Sequence, residues 1–108
     1  MQLVLAIIQD RDADMALERL VAEGIPVTRI ATSGGFIRQG NTTLLMGVDP
    51  VKVKLISDIL NETCHRRTMY MPMAAGITDP AYGLHNQIEV EVGGASVFVF
   101  EVEHFEQV

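Results

Sequence analysis

Val27-Thr28-Arg29-Ile30-Ala31-Thr32-Ser33-Gly34-Gly35-Phe36-Ile37-Arg38-Gln39-Gly40-Asn41-Thr42-Thr43-Leu44-Leu45-Met46-Gly47-Val48 reads as two strands joined by a glycine loop. In the first strand, Val27 to Ser33, side chains alternate so that Thr28, Ile30 and Thr32 share one face. In the second, Thr42, Leu44, Met46 and Val48 alternate against Thr43, Leu45 and Gly47. The loop from about Gly34 to Gly40 closes the hairpin. Its glycines let the backbone turn and let a ligand approach closely, and free N–H groups in such a turn form an anion-binding concavity. Phe36 offers a face for stacking on a base, and Arg38 a guanidinium for a phosphate. A plain hairpin turn with no ligand is the competing reading.

Working outward, Leu3 to Gln9 is apolar on both alternating faces, the pattern of a strand covered on both sides. Asp10 or Asp12 is placed to cap the next helix. That helix carries Ala13, Ala16, Leu17, Leu20 and Val21 at helical spacing, and Gly24 and Pro26 stop it. Beyond the hairpin, Asp49-Pro50 opens a second helix, whose apolar positions Val51, Leu55, Ile56, Ile59 and Leu60 run to about Cys64. The stretch from His65 to Asn86 is punctuated by Pro72, Gly76, Pro80 and Gly83 and reads as a long loop, with Met69 to Met73 as a short edge strand. Gln87 to Val92 alternates cleanly, Gly93-Gly94 gives a two-residue hairpin turn, and Ala95 to Val102 is the last strand.

The order strand, helix, strand, strand, helix, strand is that of a ferredoxin-like α+β unit, βαββαβ, with one extra strand in a terminal hairpin. Two helices cover only one face of such a sheet. The first and last strands are nevertheless apolar on both faces, so the second face is expected to lie against another copy of the chain.

At 108 residues the chain is expected to be a single domain, residues 1–108. A net charge of −6 offers no basic patch to DNA or RNA, and no apolar run is long enough for a spanning helix. The single cysteine, Cys64, excludes an intrachain disulfide and suits a reducing cytoplasm.

Catalytic and metal readings are weak. Cys64 and His65 are adjacent, so on a helix they point about 100° apart. His65, His85 and His104 share no metal-ligand spacing. Glu89 and Glu91, like Glu101 and Glu103, alternate with apolar residues and read as a solvated strand face rather than a carboxylate dyad. No Walker lysine follows the glycines and no nucleophile elbow is present. The expectation is no enzyme, no metal and no cofactor.

The run Ala31–Thr43, together with Ala6-Ile7-Ile8-Gln9-Asp10 and Glu89-Val90-Glu91-Val92-Gly93-Gly94-Ala95-Ser96-Val97-Phe98-Val99, resembles the cyclic-di-AMP receptor family of PII-like signal-transduction proteins. The resemblance implies a bacterial, cytoplasmic, non-enzymatic sensor. Its ferredoxin-like subunits would form a homotrimer that binds the nucleotide in clefts between subunits, and loop ordering would pass the signal to a protein target. The ligand-binding positions carried over are Thr28, Gly35, Phe36, Ile37, Asn41 and Gly47, with Gln107 closing over the pocket and Arg38 nearby. An asparagine and an arginine typical of the family are replaced here by Gly24 and Pro26, leaving Arg29 and Arg38 as candidate substitutes for the missing cation. The alternative is an orphan PII-like interaction module that binds a different nucleotide, such as ATP, or none.

Overall fold

A computed structural model describes residues 1–32, 40–72 and 87–108. The expected Gly34–Gln39 part of the loop, and Phe36, Ile37 and Arg38 within it, lie outside the described residues, as does most of the expected long loop after the second helix.

Strand β1 (Gln2–Gln9) leads directly into helix α1 (Asp10–Ala22), followed by β2 (Thr28–Thr32) and β3 (Asn41–Val48). A 3₁₀ turn at Pro50–Lys52 enters α2 (Val53–Thr63), after which come β4 (Arg67–Pro72), β5 (Gln87–Val92) and β6 (Ala95–Glu101). The main sheet has the order β2-β3-β1-β6, all antiparallel, as a ferredoxin-like fold requires. β4 and β5 form a separate two-stranded antiparallel ribbon.

This corrects the expected terminal hairpin. The turn at Gly93-Gly94 does not pair β5 with β6; β5 pairs with β4, and β6 pairs with β1. The donors of the turn go to other elements. Gly93 N–H donates to Gln9 Oε1 at 2.9 Å, and Gly94 N–H donates to the Cys64 carbonyl. Gly93 has φ +89°, and a Cβ there would run into the His65 carbonyl, so only glycine fits this crossing between the two sheets.

The core lies on one side of the main sheet. Val4, Ala6 and Ile8 of β1 and Leu44, Met46 and Val48 of β3 pack against Ala13, Ala16 and Leu20 of α1 and Ile56, Ile59 and Leu60 of α2. α1 starts at Asp10, earlier than its apolar periodicity suggests, so neither Asp10 nor Asp12 is its N-cap; that position is Gln9, whose side chain makes no capping bond. Both carboxylates are held elsewhere. Asp10 accepts the Thr42 hydroxyl at 2.5 Å, and Asp12, 4% exposed, accepts Arg67 Nη2 at 2.7 Å. The C-terminus ends as expected at Gly24: with φ +74°, its N–H reaches the Val21 carbonyl at 2.9 Å and Ile25 N–H reaches Leu20 at 3.1 Å, a Schellman closure. Val21 and Val51 do not join the core; both are exposed, Val51 by 82%, and Val51 falls in the 3₁₀ turn ahead of α2 rather than on its apolar face.

Among the described residues, the opposite face of the sheet carries no helix. Across-strand partners share a face, so Leu3, Leu5 and Ile7 of β1 stand with Gly47, Leu45 and Thr43 of β3, with Phe100 and Phe98 of β6, and with Thr28 and Ile30 of β2. Phe98 and Phe100 are 48% and 49% exposed.

Candidate functional site

The register collects several predicted positions on that open face. Thr28 pairs with Leu45, Leu3 with Gly47, and Gln9 with Asn41, so Thr28, Gly47 and Asn41 all project to the side away from the helices.

A cavity of about 560 Å³ opens there. Its floor is Leu3, Thr28, Leu45 and Gly47, and Pro26 and Val27 form one side. Met1 and the C-terminal residues Val102, Phe105 and Gln107 form the other. Thr28, Gly47 and Gln107 are thus brought together by two sheet strands and the chain end. The backbone tie that starts this tail is Val102 N–H on the Met1 carbonyl at 3.2 Å. Asn41 does not line the cavity. It sits at the far end of β3, six residues from Gly47, about 20 Å at the rise of an extended strand.

The lining suits a flat heteroaromatic group. Leu3, Leu45, Met1 and Phe105 offer apolar surface, the Thr28 hydroxyl and Gln107 amide offer donors and acceptors, and Gly47 exposes bare backbone. Phe105 was not among the residues picked out by sequence. Its signal was an aromatic placed within the otherwise polar run Glu103-His104-Phe105-Glu106-Gln107. Among the described residues, no lysine or arginine lines this cavity. Arg29, expected as a substitute cation, lies on the helix side of β2 and donates to Asp14 at 2.9 Å. That position is fixed by strand alternation, which sends Arg29 opposite to Thr28.

The residues weighed for catalysis differ in burial. Cys64 is buried, with Sγ 3.4 Å from Thr63 Oγ1, while His65 is exposed with Nδ1 3.2 Å from the Glu62 carbonyl. Burial pushes the Cys64 thiol above its ordinary pKa, only partly offset by the Thr63 hydrogen bond. Glu89, Glu91, Glu101 and Glu103 are all exposed. Among the described residues, no cluster of His, Cys, Asp or Glu has the geometry to hold a metal ion, and no helix is long and apolar enough to cross a membrane.

The whole sequence, residues 1–108, matches the family described as cyclic-di-AMP receptor. The chain belongs to the cyclic-di-AMP receptor family. A solved structure similar to it, a functionally unknown protein from Pediococcus pentosaceus, is 33% identical with a TM-score of 0.77, over 99% of this chain and 96% of that one.

Proposed function

We propose that the protein is a non-enzymatic receptor for cyclic di-AMP, seated at the open-face cavity and completed by a neighbouring subunit of a homotrimer. The observation that carries the proposal is the meeting of Thr28, Gly47 and Gln107 on one apolar-walled cavity in a chain of the cyclic-di-AMP receptor family. An adenine lies on the Leu3–Leu45 floor against Phe105, close to the backbone at Gly47. The Thr28 hydroxyl and Gln107 amide read its polar edge.

The separation along β3 gives this reading its subunit requirement. Residues about 20 Å apart on one strand do not close on the same base. Asn41, with Gly35, Phe36, Ile37 and Arg38, therefore serves a ligand held on another chain's floor. Phe98 and Phe100 supply apolar surface for that association; covering a half-exposed phenylalanine contributes about 1 kcal/mol. Ordering of the 33–39 loop by the nucleotide then presents a changed surface to a protein target.

Titration of the protein with cyclic di-AMP, cyclic di-GMP, ATP and AMP tests the proposal. Cyclic di-AMP binds tightest, and Thr28→Val weakens it about tenfold, the loss of one buried hydrogen bond. Preference for ATP, or no preference, would count against it.

A further inference from the structure

Beyond Pro26 the open-face cavity adjoins an annex of about 230 Å³. The two share Met1, Pro26 and Gly47 in their walls, and the annex adds Gly24, Asp49 and Lys52. Lys52 is the one described basic side chain in either lining. It is also uncommitted. Arg19, Arg29, Lys54, Arg66 and Arg67 each hold a carboxylate, and Arg11 meets the Met69 sulfur, whereas Lys52 has no ion pair among the described residues. Asp49 is uncommitted as well, since its side chain makes no capping bond to the 3₁₀ turn that follows it.

We infer that Lys52 is the cation that meets a phosphate of the bound nucleotide, reaching it from the annex, and that Asp49 opposes the same phosphate and so limits affinity. The inference rests on the nucleotide reading of the cavity. A base on the floor at Leu45 and Gly47 directs its sugar-phosphate either toward the tail or past Pro26. Only the second path leads to a positive charge within the described residues. Lysine is suited to this role as a compact charge on a long stem, which follows a phosphate without demanding fixed bidentate geometry. Asp49 lies three residues earlier at the mouth of the same annex and carries the opposite charge, so the two side chains act on an anion with opposite sign.

Affinity for cyclic di-AMP, measured by calorimetry for the full chain and the variants Lys52→Gln, Lys52→Arg and Asp49→Asn, tests this. Both residues are exposed and their side chains unbonded, so the variants fold as the parent does. Lys52→Gln weakens binding about tenfold, Lys52→Arg stays within about threefold of the parent, and Asp49→Asn tightens it severalfold. The parent loses affinity with added salt more steeply than Lys52→Gln does. A parent that binds, with Lys52→Gln matching it at every salt concentration, overturns the inference and leaves the nucleotide reading intact. A parent that does not bind overturns both.

Discussion

The Asp10 carboxylate accepts the Thr42 hydroxyl at 2.5 Å, while the Asp10 backbone N–H donates to the Gly40 carbonyl at 3.1 Å. The first residue of α1 is thereby fastened to the start of β3. The residue that looked like a helix cap is a strut for the hairpin. Thr42→Val keeps the shape of a fully buried side chain and deletes only the hydroxyl. It is expected to cost about 1 kcal/mol, seen as a lowered urea midpoint at fixed protein concentration with an unchanged m-value.

Substitution at Gly47 is expected to separate ligand binding from folding. A Cβ at this position would meet the Met1 sulfur at 3.7 Å, an ordinary contact. Gly47→Ala is therefore expected to leave the melting temperature unchanged while the added methyl on the cavity floor weakens cyclic di-AMP by about tenfold in calorimetry.

Arg67 roots the β4–β5 ribbon on α1. It donates to Asp12 at 2.7 Å and to the His65 carbonyl at 3.1 Å, and the other Asp12 oxygen is buried with no partner among the described residues. The Asp12 contact raises the already high pKa of the guanidinium, so it remains charged at any workable pH. Arg67→Met leaves Asp12 as a buried charge without its counterion. The expected cost is about 3 kcal/mol by chemical denaturation, and Asp12→Asn combined with Arg67→Met costs less than Arg67→Met alone.

Cys64 gives a pH signature. Burial raises its folded pKa above the ordinary 9.0, so the neutral thiol is favoured by folding. Its contribution is complete below the unfolded value and is lost as pH rises through the folded one. Stability is expected to fall above about pH 9 more steeply in the parent than in Cys64→Ala, measured by urea denaturation across that range. Alkylation of the native thiol at neutral pH is expected to be slow and to accelerate on unfolding.

Subunit mixing tests the shared cleft. If Thr28 and Asn41 reach one ligand from different chains, Thr28→Val and Asn41→Ala variants denatured and refolded together recover a fraction of high-affinity sites that neither has alone. No recovery, with both variants assembled, would place the two residues at sites of their own.

The fold was legible wherever periodicity and burial agree. The doubly apolar Leu3–Gln9 run marked the central strand, and Gly24 and Pro26 marked the end of α1, whereas the shared face of Thr28, Asn41 and Gly47 emerged only from the strand register. Long-range competition was not legible. Gly93-Gly94 has the local look of a hairpin, but its N–H groups go to Gln9 and Cys64, and β6 pairs with β1 instead. Charge assignments failed for a similar reason: Asp10, Asp12 and Arg29 look available in sequence, and each is taken by a partner distant along the chain. Phe105 and Lys52 escaped notice because their neighbours in sequence are not their neighbours in the cavity and its annex.

The most direct measurement is calorimetric titration of the intact protein with cyclic di-AMP, with the assembly mass followed in parallel by light scattering. Saturable binding of one nucleotide per chain to a trimer is the predicted result. An intact trimer that gives no heat with cyclic di-AMP, or a protein that binds it fully as a single chain, would contradict the account.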